Sequence, residues 1–69
     1  MTLKEYCKFL GWDIKEMAQQ SRIDRKTASK AWHGEPVSAG VARAIAQALS
    51  EALGRSIYVG MIEGLNIKG

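Results

Sequence analysis

The stretch EMAQQSRIDRKTASKAWHG, Glu16 to Gly34, constrains the fold of this chain more than any other. Small and apolar residues recur at helical spacing on both sides of SRID, Ser21 to Asp24. That break is too short to be a linker, so it reads as a tight turn between two short helices. The second helical pattern follows at once and brings Arg22, Arg25, Lys26 and Lys30 close together. Why a small chain concentrates positive charge on one short helix after a tight turn is the question the sequence poses.

Length limits the answers. With 69 residues the chain forms one domain, and a chain of this size buries only about 60% of its unfolded surface. There is room for one small core and none for a deep substrate cleft. The formal net charge of +3 favours an anionic partner only modestly, so the placement of the charge matters more than its total. Cys7 is the single cysteine, which excludes an intrachain disulfide and fits a reducing, cytoplasmic setting. It reads as a small buried apolar residue. No apolar run approaches the ~20 residues of a membrane span, and the N-terminus lacks a signal-peptide core.

The remainder reads as further short helices. Leu3, Tyr6, Cys7 and Leu10 follow helical spacing, and Gly11 ends that segment. Asp13 with Glu16 makes a D-x-x-E pattern close to a capping box, which opens a second helix with Ile14, Met17, Ala18 and Ser21 inward. Asp24 caps a third helix running to about His33, closed by Gly34. Pro36 interrupts the chain. Ser38 then caps the longest helix, with Val41, Ile45, Ala48, Leu49, Ala52 and Leu53 on one stripe and Gly54 as its stop. In the tail, RSIYVGMIEGLNIKG, the alternation of Ile57, Val59 and Met61 suggests an extended segment; a single short turn of helix is the alternative.

Around the third helix the residues sort into two faces at roughly 100° per residue. Arg25, Lys26, Ser29, Lys30 and His33 fall on one side, Ala28 and Ala31 on the other, with Thr27 and Trp32 at the borders. The inward face is made of small residues, so this helix can sit close to its neighbours and push its other face out. The outward face carries donors on long and short stems and no acid beyond the capping Asp24. A DNA major groove, about 12 Å wide, admits one such helix; Arg and Lys pair with guanine or phosphate, and Ser with either. The alternative is a basic face that is only solvated.

These residues carry a resemblance. DIKEMAQQSRIDRKTASKAWHG resembles the helix-turn-helix of the Cro/phage-repressor (XRE-type) family. Ala18 matches the close-packing position of the first motif helix, Ile23 the apolar turn residue, and Ala28 and Ala31 the inward positions of the recognition helix. EPVSAGVARAIAQALSEALG resembles the scaffold helix that follows. The likeness covers about Leu3 to Gly54. It implies an all-α, lambda-repressor-like bundle of four to five helices, with a helix-turn-helix DNA-binding domain over 1–54. The residues of 55–69, read as a C-terminal extended segment, are an apolar surplus available for dimerisation or for covering the domain's own core.

Three positions depart from the family pattern. Arg22 stands where the family usually has Gly; a left-handed residue there costs about 1–2 kcal/mol, and the side chain is placed to alter the turn or contact a phosphate. Ile14 stands where a polar Gln is frequent, which leaves backbone contacts to Lys15 or Gln19. Ala28 is smaller than the usual inward residue, and Trp32 is available to fill the space. KTASKAWHGEPVS also resembles, more weakly, the end of a LacI-type headpiece, but the extra helix from Leu3 to Leu10 fits the Cro/repressor type better. Both resemblances imply DNA binding by the same helix.

The candidate DNA-contacting set is therefore Arg25, Lys26, Ser29 and Lys30, with Arg22, Thr27, His33, Lys15 and Gln19 around it. Arg43 and Lys8 read as solvated surface, with a contact to the DNA backbone as the alternative; Trp12, Trp32 and Tyr58 read as packing residues. His33 and Cys7 do not make a metal site. No serine has a His/Asp arrangement, and no P-loop or dinucleotide fingerprint occurs, so neither an enzyme nor a cofactor is expected. The leading reading is a transcriptional regulator of phage or mobile-element repressor type. It would bind palindromic duplex DNA as a homodimer, because one helix reads too few base pairs. No small-molecule effector is expected. An architectural, excisionase-like factor and an antitoxin or adaptor module are the alternatives.

Overall fold

Four side-chain caps fix where the helices begin. In the computed structural model, which describes residues 1–68, Thr2, Asp13, Asp24 and Ser38 each accept a hydrogen bond from the backbone N–H three residues on. The helices they open are α1 (Leu3–Leu10), α2 (Ile14–Ser21), α3 (Arg25–Trp32) and α4 (Ala39–Leu53). Each cap satisfies one of the N–H groups that a helix start leaves without an internal partner. Thr2 and Glu5 form a complete capping box, Glu5 Oε1 accepting from the Thr2 N–H at 2.7 Å. The D-x-x-E pattern at Asp13 is only half of one: Glu16 turns forward and accepts from Gln20 Nε2 at 2.8 Å. The fold is all-α, with no strand among the described residues.

The core lies where the four helices converge. Met17, Ile45, Leu49 and Cys7 are the largest fully buried side chains. Full burial of a Met, Ile or Leu side chain contributes about 1.5–3 kcal/mol. Around them pack Leu3 and Tyr6 from α1, Ala18 from α2, and Ala28 and Ala31 from α3. On α4 the stripe is rotated from the sequence expectation. Ala42 and Ala46 are buried with Ile45, Ala48 and Leu49; Val41 and Leu53 are half-buried, and Ala52 faces solvent. Burial pushes the Cys7 thiol up to about 11, as expected of a packing residue.

The tail differs from the extended reading. Val59–Met61 form one turn of 3-10 helix, and the alternation of Ile57, Val59 and Met61 does not put them on one face. Ile57 and Ile62 are buried, Val59 is half-buried and Met61 is exposed. Tyr58, expected to pack, is 69% exposed. The reason is long-range. Ser50 Oγ accepts from the Ile57 N–H at 2.8 Å, and its own hydrogen faces the carbonyls of Ala46 and Ile57. That contact turns the tail back onto α4. Further on, Glu63 pairs with Thr2, and Ile67 with Val37, each as a single parallel bridge.

Ser50→Ala should loosen this fold. It leaves the Ile57 N–H without its acceptor, at a cost of about 1–3 kcal/mol. Each kcal/mol is worth roughly 4–8 °C in the melting temperature of a domain this small. Thermal melts should show that drop for Ser50→Ala and next to none for the exposed Ser56→Ala.

Candidate nucleic-acid interface

α3 is two turns long and holds its place through its inner side. Ala28 and Ala31 are buried against the core, and with Ala18 on α2 they let the two short helices pack closely. Trp32 and, in the turn, Ile23 are half-buried and pack against the same core. Because the inner face is filled by methyl groups, the rest of α3 stands outside. Arg25, Lys26, Lys30 and His33 are exposed, and Ser29 and Thr27 are half-buried. Arg25, Ser29 and His33 form one i, i+4 row, and Lys26 and Lys30 the next.

Local bonds prepare both ends of this helix. At its start the Thr27 N–H donates to Asp24 Oδ1 at 2.7 Å. Hydrogen bonding from Thr27, and then the charges of Lys26 and Lys30, hold the Asp24 carboxyl below its ordinary range. At its end His33 folds back. Its Nδ1 lies 2.8 Å from the Ser29 carbonyl, so this nitrogen donates to its own helix. Gly34 follows with φ +79°, the Glu35 N–H reaches the Lys30 carbonyl at 2.9 Å, and Asn66 Nδ2 donates to the Gly34 carbonyl at 2.6 Å.

Asn66 is a positioning residue that the sequence reading missed. It stands 32 residues away in the chain, and no local pattern connects it with the end of α3. The remaining candidates divide between two places. Lys15 is exposed in the first turn of α2. Gln19 and Arg22 lie at the other end of that helix and border a groove whose far wall is α4, with Ala44, Gln47, Ala48 and Glu51. They are thus placed beside α4, while Arg25, Lys26, Ser29 and Lys30 are all carried by α3.

The turn itself is left-handed. Arg22 has φ 58° and ψ 41°, and its N–H faces the Ala18 and Gln19 carbonyls. Gly11 and Gly54 end α1 and α4 in the same conformation. Of these three helix ends only the one inside the motif carries a side chain.

Two short, closely packed helices, a tight left-handed turn and an outward basic second helix define a helix-turn-helix DNA-binding domain. The chain belongs to the Cro/C1-type HTH DNA-binding domain family, whose model matches residues 2–54. No curated protein and no solved structure matches it. Among the described residues no group of His, Cys, Asp or Glu could hold a metal ion, and no helix is long and apolar enough to cross a membrane.

Two outcomes follow for this motif. Arg22→Gly should stabilise the domain by about 1 kcal/mol, because Gly adopts φ near +58° without the steric cost that other residues meet. A urea titration compared with wild type measures it. The Asp24 cap should be acid-sensitive. Its folded pKa lies below its unfolded value, so its contribution is complete above the unfolded value and fades as pH falls through the folded one. Asp24→Asn keeps the acceptor without the titration, and should flatten that part of an acid melt followed by circular dichroism.

Proposed function

We propose that this DNA-binding protein is a transcriptional repressor of the phage or mobile-element kind, and that it reads the major groove with α3. One observation carries the reading: Arg25, Lys26 and Lys30 are exposed together on a helix whose buried side is only Ala28 and Ala31. A helix about 10–12 Å across fits the major groove, and the exposed side of this one carries long donors of the kind that pair with base edges and phosphates. Ser29 and Thr27 sit close to the helix body, suited to short contacts. His33, Lys15, Gln19 and Arg22 would contribute backbone contacts around it. The protein acts in the cytoplasm as a homodimer on a palindromic operator, each copy reading one half-site.

Selection of binding sites from random duplex DNA by the purified protein tests this directly. An enriched palindrome supports repressor-type recognition; no enrichment at all removes it. On the selected site, replacing Lys26 and Lys30 by Ala should weaken binding with the fold intact, because exposed substitutions rarely change stability by more than about 0.5 kcal/mol. The log–log salt slope should also fall by about 0.9 for each phosphate that is no longer neutralised. Unchanged affinity in that double variant would remove α3 as the reading helix.

A further inference from the structure

We propose that the outer face of α4 is a two-fold interface with a second copy of this chain, in which Arg43 of each copy meets the partner's Glu51 across a central Gln47. The inference names the dimer surface for the repressor reading above and rests on that reading.

Arg43, Gln47 and Glu51 are spaced by four residues and are all exposed, so they form one row along the solvent side of α4. At 1.5 Å per residue the row is about 12 Å long. It runs between two grooves, Glu51 bordering the first and Arg43 the second. One, of about 590 Å³, separates it from Gln19–Arg22 at the end of α2. The other, of about 490 Å³, separates it from Ser56–Val59 of the returning tail. Gln47 borders both. A row of side chains spaced by four is one of the ridges through which helices pack on one another.

The charges choose the occupant. The row is positive at one end, neutral in the middle and negative at the other. Two such rows match only when they run antiparallel about a two-fold axis through Gln47, where position 43 falls opposite position 51 in both halves. Run parallel, they would set Arg on Arg and Glu on Glu. Among the described residues neither Arg43 nor Glu51 makes an ion pair; the one pair there joins the N-terminal amine to Glu63. Glu51 accepts only from the Gln47 amide, at a long 3.3 Å. Tyr58, 69% exposed at the rim of the tail-side groove, adds an aromatic face beside the row. Glu51 argues against DNA as the occupant, and the self-complementary pattern argues for a copy of the same chain. A contact of one helix and one ring is small, so the pair is weak in free solution and tightens when two copies share one duplex.

Cysteine cross-linking of the full chain tests the geometry. Gln47→Cys puts a thiol on the proposed axis, while Cys7 stays silent because it is fully buried. Under mild oxidation Gln47→Cys should give at least tenfold more disulfide-linked dimer on non-reducing gels than Lys8→Cys, a control on α1 outside both grooves. Equal yields would overturn the proposal. In the Gln47→Cys background, Arg43→Glu alone or Glu51→Arg alone should suppress the link, and mixing the two, or combining both in one chain, should restore it. Single reversals that link as well as their parent would overturn it too. Wild-type binding to the selected duplex is measured in parallel. Duplex binding without cross-linking removes this interface alone, whereas cross-linking without duplex binding removes the repressor reading.

Discussion

The contact between α2 and α3 across Ala18, Ala28 and Ala31 is the constraint on which the rest depends. Helices of eight residues are marginal in water on their own, so these two exist because they are packed. Packing through methyl groups brings them close while using little of the surface of α3. A larger inward residue would hold α3 further from the core and force its flanks to cover the gap. The small residues therefore anchor a helix too short to stand alone and leave its charged side uncovered.

The turn sharpens this arrangement. Only Arg22, Ile23 and Asp24 separate the two helices, and each has a separate task. Arg22 reverses the chain in a left-handed conformation, Ile23 packs against the core and Asp24 caps α3. Placing Arg at the strained position sacrifices a little stability. It also leaves a cation at the mouth of the groove between α2 and α4. That trade is typical of sites where strain persists because the surrounding packing holds it.

Much of this was legible in the sequence because it is encoded locally. The caps at Asp13, Asp24 and Ser38, the stops at Gly11 and Gly54 and the two faces of α3 each need only residues within a turn or two of one another. The groove that Gln19 and Arg22 share with α4 was not legible, since it depends on where α4 crosses the end of α2. The tail escaped for the same reason. Its path follows from Ser50 holding Ile57, Asn66 holding Gly34 and Val37 pairing with Ile67, all contacts between distant positions. The alternation of Ile57, Val59 and Met61 imitates a strand, yet no neighbouring strand is present among the described residues to pair with it. A pattern of period two has structural meaning only where a sheet exists to read it.

The return of the tail also bears on α3, although the two are far apart in the chain. A two-turn helix keeps its orientation only if both ends are held. Its start is held by the Asp24 cap and the Arg22 turn. Its end runs into Gly34, whose carbonyl accepts from Asn66, and then into Val37, which exchanges backbone hydrogen bonds with Asn66 and Lys68. The tail thus ties down the loop between α3 and α4. Because Ile57 and Ile62 are buried in the same core that α3 leans on, this brace and the helix it steadies share one set of contacts. Loosening the tail at Ser50 would then act on the loop after α3 as well as on stability, through connected packing and with no direct contact to α3.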